Sequence, residues 1–353
     1  MKRIDADNNH LVYSGRIDFR DPKSPVFVYP CTNVRMRFRG DRLKILLRNR
    51  HEYWKNFAGI LADGKQMKFS LNETGETVLE IPLDEQREEH EVMLFKRQDG
   101  CHYFAFQGIW LDENAELLAA PELPGRRIEV FGDSVSAGEL SEAVDYTGKE
   151  DPQHEGEYSN SWYSYSWTTA RLLGAELHDI AQGGMALLDG SGWYHEPDAE
   201  GMVLVSVWDK IEYNPVLGEI VPWDFSKWIP DVVIVALGQN DSHPIDYMAE
   251  HPDGPKAQAW KDGYYHFLEK LRKVYPKAQI VCITTLLIHD PAWDRAITEA
   301  VDRFRSDNKD EKLTQYLFRR NGCGTPGHLR ITEGREMAEE LARYLEKLSI
   351  RGW

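Results

Sequence analysis

The run Val232-Val233-Ile234-Val235-Ala236-Leu237, entered through Pro230-Asp231 and closed by Gly238, has no polar alternation. A strand of that composition is buried on both faces, so it belongs inside a sheet that helices cover on either side, and such sheets are parallel. Arg127-Ile128-Glu129-Val130-Phe131 reads as another strand, turned sharply by Gly132. Glu176-Leu177-His178-Asp179-Ile180 and the apolar run 280–286 add two more. The second part of the chain is therefore expected to be an α/β three-layer domain.

The residues just beyond each strand carry the chemistry. After the first comes Gly132-Asp133-Ser134-Val135-Ser136-Ala137-Gly138, a tight turn from which the Ser134 hydroxyl and backbone N–H can face one bound group. Taken alone, the tripeptide equally fits a plain β-turn or a helix N-cap. Gln182-Gly183-Gly184-Met185 offers an unhindered backbone N–H at a strand end, and Gly238-Gln239-Asn240-Asp241 places a carboxamide at another. Gly324-Thr325-Pro326-Gly327-His328 is a breaker-rich loop before a helix over 333–348, where Met337, Leu341, Tyr344, Leu345 and Leu348 recur at helical spacing. In an open parallel sheet these strand ends meet at the carboxyl edge, where such folds bind ligands.

Serine, glycine, asparagine and histidine in this chain order resemble the SGNH hydrolases, also called GDSL-type esterases, over about residues 127–350. The resemblance implies a nucleophile at Ser134, a general base at His328, and an oxyanion hole built from the Ser134 N–H, the Gly184 N–H and the Asn240 side-chain amide. Gly184 is chosen over Gly183 because the family glycine is commonly followed by an aliphatic residue, here Met185. Ester cleavage needs such donors where charge develops, and loss of one typically costs ~3 kcal/mol of barrier. Members usually carry an aspartate three residues before the histidine, but that position is Thr325, and His328 is followed by Leu329 where proline is usual. A Ser134–His328 dyad oriented by a main-chain carbonyl near Thr325 or Pro326 is therefore expected. The competing arrangement brings in a distant carboxylate from the acidic stretch 139–159, Glu155 and Glu157 among the candidates. That stretch reads as a solvated surface loop or as an insertion shaping the cleft.

Charge and length narrow the partners. With 353 residues there is room for two domains and substantial cores. Forty-two basic against 58 acidic residues give a net charge of −16, which disfavours nucleic acid and anionic membranes as partners. The start Met1-Lys2-Arg3-Ile4-Asp5 has no apolar core of signal-peptide length and no run is long enough to span a bilayer, so a cytoplasmic location is expected. Cys31, Cys101, Cys282 and Cys323 lack close pairing and metal-ligand spacing and are read as free thiols. The twelve histidines show no zinc pattern, so no metal and no cofactor is assigned.

Before residue 120 the pattern changes. Val34, Met36 and Phe38 alternate with Arg35, Arg37 and Arg39, and Val92, Leu94 and the run 103–110 repeat the half-buried strand habit. About eight such strands argue for an antiparallel, jelly-roll-like sandwich over residues 1–120, with Ala119-Ala120-Pro121-Glu122-Leu123-Pro124-Gly125 as the boundary and the hydrolase domain over 121–353. A sandwich followed by an SGNH domain looks like carbohydrate esterase family 2, and Ser14-Gly15-Arg16 and Gly59-Ile60-Leu61-Ala62-Asp63-Gly64 are similar to its sandwich. That resemblance implies an acetyl esterase acting on hemicellulose oligosaccharides, with mannan or glucomannan ahead of xylan. Trp193 and Trp293 fall in loops at the expected active edge and are candidate platforms for sugar rings. Two other readings are an SGNH lipase or thioesterase, which would need a continuous apolar groove, and a non-catalytic carbohydrate-binding protein, which would need none of Ser134, His328 and Asn240.

Overall fold

The computed structural model describes residues 1–194, 202–350 and 353. The amino-terminal region is a sandwich of two six-stranded sheets in which every pair is antiparallel. One sheet centres on His102–Leu111 and Leu43–His51, the other on Asn33–Arg39 and Glu89–Lys96. The alternation seen in the sequence is the packing rule: Val34, Met36 and Phe38 point inward to meet Ile45, Leu47, Phe104 and Phe106. There are twelve strands here rather than about eight. The extra ones, such as Ile17–Asp18 and Val26–Phe27, are two or three residues long, too short for alternation to show.

The carboxyl-terminal region is a five-stranded parallel sheet with the spatial order Ala175–Ala181, Arg126–Gly132, Val232–Ala236, Gln279–Ile283, Leu313–Tyr316. In chain order this is 2-1-3-4-5, with the reversal between the first and third strands. Successive residues of Val232–Ala236 serve opposite cores. Val232 and Ile234 pack toward the helices Tyr165–Leu173 and Ile331–Leu345, while Val233 and Val235 pack toward Pro255–Val274 and Pro291–Asn308.

The two regions share buried contacts. Val28, Tyr29, Tyr103 and Ala105 of the sandwich join the core on the Pro255–Val274 side. Arg16 is fully buried, with Nε and Nη2 donating to Glu129 Oε1 at 3.1 and 2.9 Å on the first parallel strand, and Ser14 Oγ donates to Glu176 at 3.0 Å on the second. Gly15 between them has φ +120°, and a Cβ would stand 2.7 Å from Thr32 Oγ1. The Ser14-Gly15-Arg16 motif is thus the clasp that holds the sandwich on the sheet.

Candidate active site

Ser134 opens a one-turn helix, Ser134–Ala137, immediately beyond the first parallel strand. Asp133 caps it, its Oδ1 accepting from Val135 N at 3.0 Å. Gly132 must be glycine, since a Cβ there would collide with Ser136 Oγ. The Ser134 side chain lies at the sheet's carboxyl edge beside the switch in strand order, in an open cleft of about 920 Å³ that also borders His328, Gly184 and Asn240.

His328 arrives from the loop before the last helix. Its Nε2 lies 2.8 Å from Ser134 Oγ and its Nδ1 lies 2.6 Å from Asp151 Oδ2. An ionised carboxylate only accepts, so Nδ1 carries the proton and Nε2 is left to accept from the Ser134 hydroxyl. The expected Ser134–His328 pair is therefore present, but the expected main-chain orienting group is not. Thr325 carbonyl oxygen accepts from Ile288 N at 2.8 Å, and Asp151 orients the imidazole instead.

Asp151 is held on several sides. Oδ1 accepts from His328 N at 2.9 Å and from Arg330 Nη2 at 2.7 Å, and Arg330 Nη1 donates to the His328 carbonyl at 2.8 Å. A Cβ at Gly327 would lie 2.5 Å from Asp151 Oδ1, so glycine there makes room for the carboxylate. Burial by itself would raise the Asp151 carboxyl, but the hydrogen bonds from His328 and Arg330 and the charge of His328 outweigh it and hold the group well below the usual carboxylate range. For His328 burial acts downward, and the hydrogen bond to Asp151 with the charges of Glu139, Asp151 and Asp133 outweighs it, so the imidazole is raised above its ordinary 6.5. Glu155 and Glu157 do not reach it: Glu155 pairs with Lys55 at 3.2 Å, and Glu157 accepts from Glu155 N. Two signals in the sequence point to Asp151 after the fact, an arginine two residues beyond the histidine that must find an anion, and the glycine just before it.

The oxyanion candidates are brought together, with differences among them. Gln182-Gly183-Gly184-Met185 is a turn closed by Met185 N donating to Gln182 O at 3.3 Å, and Gly184 occupies its φ +73° position. Gly183 N donates to Asp99 Oδ2 at 2.7 Å, which leaves Gly184 N as the N–H of this turn without a partner among the described residues. Asn240 Nδ2 donates to Met185 O at 3.2 Å and to Asp133 Oδ2 at 3.3 Å. Both are long bonds, and an oxyanion must compete with them for the amide. Asp241, the next residue, ties the two loops together by accepting from Leu187 N at 3.0 and 3.1 Å. Burial pushes its carboxyl up to about 6.

The aromatic candidates separate. Trp193 is 60% exposed, lines the cleft and stacks on His243 with ring centroids 3.3 Å apart. Trp293 is not in the cleft: it is 1% exposed, wedged between Trp260 and Tyr247 on the buried face of Pro291–Asn308, with Nε1 donating to Asp246 at 3.0 Å. Its Asp-Pro-Ala-Trp context is a helix start rather than a loop, capped by Asp290 with Pro291 in the first turn, so the tryptophan turns inward. The sandwich supplies wall residues that the sequence pattern does not mark, Glu52, Tyr53 and Trp54, from the connection between Leu43–His51 and Phe57–Ala62. Glu139 also borders the cleft, and burial pushes it up to about 7. Among the described residues that line the cleft there is no lysine or arginine. Among the described residues there is also no cluster of ligands that could hold a metal ion, and no helix is long and apolar enough to cross a membrane.

An open parallel sheet ordered 2-1-3-4-5 with Ser134 and His328 in contact at its edge defines a chain of the SGNH hydrolase fold class. Residues 13–121 match the family model described as carbohydrate esterase 2 N-terminal. The chain is 29% identical over 357 residues to the cellulase/esterase CelE of Acetivibrio thermocellus, covering 99% of this chain and 40% of that protein. It is 25% identical over 279 residues to an acetylxylan esterase/glucomannan deacetylase of Cellvibrio japonicus, covering 79% and 72%. A family two carbohydrate esterase from Clostridium thermocellum, solved in complex with cellohexaose, superposes with a TM-score of 0.78 at 25% identity over 95% of this chain and 98% of that one. The chain is thus similar to family two carbohydrate esterases and has the sandwich and SGNH hydrolase fold seen in that group; it spans 40% of the length of the Acetivibrio relative.

Proposed function

We propose that this chain is a serine carboxylic-ester hydrolase that removes O-acetyl groups from carbohydrates. The observation that carries the reading is the continuous Ser134–His328–Asp151 chain of hydrogen bonds, 2.8 and 2.6 Å, opening onto the cleft. Ser134 Oγ attacks the acetyl carbonyl carbon as its proton passes to His328 Nε2, and Asp151 stabilises the imidazolium. The Ser134 N–H, the Gly184 N–H and the Asn240 amide receive the oxyanion. Collapse of the tetrahedral intermediate breaks the ester bond, with His328 returning the proton to the sugar oxygen. Water then repeats the sequence on the acetyl-enzyme and releases acetate.

The substrate class within this reading is acetylated hemicellulose oligosaccharides, with mannan or glucomannan ahead of xylan. Support comes from the Cellvibrio relative described as acting on both classes and from the cellohexaose bound to the Clostridium esterase. Trp193 serves as a ring platform at the rim. The reading treats 1–120 as the sandwich domain and 121–353 as the catalytic domain. It places the protein in the cytoplasm, where its four cysteines, all free thiols, would stay reduced. A lipid or thioester substrate fits less well, because Glu52, Glu139, Asp133 and Asp246 interrupt the apolar lining.

Acetate release from acetylated glucomannan and xylan oligosaccharides, followed by mass spectrometry as loss of single acetyl units, tests the proposal. Wild type should deacetylate and Ser134→Ala should not. Folded wild type that leaves both sugars intact would overturn it.

A further inference from the structure

The sandwich does more than cover the sheet. Its turn Arg97-Gln98-Asp99-Gly100, between the strands Glu89–Lys96 and His102–Leu111, projects a buried carboxylate against the Gln182-Gly183 turn behind the cleft wall. Asp99 Oδ2 accepts from Gly183 N at 2.7 Å and from Gln182 Nε2 at 2.9 Å, both in the turn that presents Gly184. The turn carrying Asp99 is itself pinned. The buried Lys96 ammonium donates to the carbonyls of Gln98 and Asp99, and Gln98 bonds Phe57 N and Lys55 O at 2.8 and 3.0 Å. Gly100 has no room for a Cβ because the Tyr213 ring lies there, and the same Tyr213 hydroxyl donates to Gln182 Oε1 at 2.5 Å. Gln182 and Gly183 are thus fixed from two directions. A Cβ on Gly183 would lie 2.7 Å from both Asp99 Oδ2 and Glu139 Oε2 and 3.6 Å from the Ser134 Cβ, so the turn passes between two carboxyl groups directly beside the nucleophile.

From this geometry we propose that Asp99 of the sandwich is a positioning residue for the oxyanion hole: by taking the Gly183 N–H it leaves the Gly184 N–H, one residue on, as the donor to the oxyanion. In a turn closed from Gln182 to Met185, the N–H at Gly184 is not used by the turn. Its aim depends on the plane of the preceding peptide, and Asp99 anchors the amide before it. The assignment rests on the esterase reading above for the identity of the reaction, but the anchoring bond stands independently of it. It also assigns the amino-terminal domain a part in the chemistry without its touching the acetyl group.

The test compares Asp99→Ala and Asp99→Asn with wild type and Ser134→Ala on p-nitrophenyl acetate, with circular dichroism and thermal unfolding as fold controls. Asparagine keeps an oxygen for Gly183 and Gln182, whereas alanine keeps none. Misaiming a donor by about 1 Å can cost about 100-fold, so kcat should fall about 10- to 100-fold in Asp99→Ala with KM changed by less than about threefold. Asp99→Asn should restore kcat to within about threefold of wild type. If Asp99→Ala does not fold, Asp99→Ser, whose hydroxyl falls short of Gly183, takes its place. An unchanged kcat, a loss confined to KM, or an asparagine variant as impaired as alanine would overturn the assignment. If folded wild type lacks esterase activity, the esterase reading fails, and the rate of Ser134 phosphonylation by a fluorophosphonate carries the same comparison of Asp99 variants.

Discussion

The two flanks of His328 are built in opposite ways. On one side Ser134 rides a four-residue helix directly after a parallel strand, and its position is set by neighbours within a few residues. On the other side Asp151 sits in a long irregular stretch, and it is held by groups 177 and 179 residues away, His328 and Arg330. A nucleophile on a strand-end turn is placed by the sheet. An orienting carboxylate in an insertion is placed only by its partners, so its location is set by what it neutralises rather than by local conformation.

The comparison breaks most sharply at Ser134. Replacement by alanine should lower kcat by about 10⁴-fold or more with the fold intact, since no other described residue of the cleft presents a hydroxyl to Nε2. Asp151→Asn or Ala is the counterpart, and a loss of roughly 10²- to 10⁴-fold is expected because the imidazole loses both its tautomer and its counter-charge. A variant that stays within a few-fold of wild type would return the molecule to a dyad.

The pH profile sharpens the same contrast. His328 must be neutral to act as base and its pKa is raised, so kcat/KM should rise with pH through an inflection above 6.5. In Asp151→Asn the inflection should move downward, because burial then acts with less opposition. The raised His328 stabilises the fold at pH below about 6.5, and that contribution fades as pH rises through its folded value. The lowered Asp151 acts in the other sense, stabilising above about pH 4 and losing effect as pH falls toward its depressed value. Urea denaturation across pH reads both.

Smaller effects test the frame. Arg16→Ala leaves Glu129 buried without its cation and should cost about 3–5 kcal/mol of stability, measured by chemical denaturation. Trp293→Ala should likewise cost about 3–5 kcal/mol, as a core deletion. Trp193→Ala should leave stability nearly unchanged and raise KM for oligosaccharides by about 3- to 10-fold, a loss on the scale of one exposed ring contact. If the two tryptophan variants exchanged these phenotypes, the assignment of one to core and the other to cleft would be wrong.

Several of these positions are legible without coordinates. Apolar runs closed by glycine mark strands that meet at the cleft, residue type just beyond them singles out Ser134, Gly184 and Asn240, and the breaker-rich loop before the last helix singles out His328. Trp293 is misplaced by the sequence because its Pro and Asp read as loop, although the same residues start a helix. Glu52–Trp54 and Asp99 are invisible for a different reason: they lie in connections of the sandwich, and nothing local tells which connection faces a parallel sheet built from residues further along the chain.

The sequence by itself determined the antiparallel sandwich, the parallel sheet and the placing of a serine and a histidine at its edge, because strand burial and turn formation are short-range properties that residue patterns record directly. Only the tertiary structure decided that Asp151 completes the hydrogen-bond chain, that Asp99 of the sandwich grips the Gly183 amide, and that Trp293 is core. Each depends on desolvated polar or aromatic groups finding partners across long separations, and a buried carboxylate is stable only where donors converge on it. That convergence is a property of packing, which no local stretch of sequence contains.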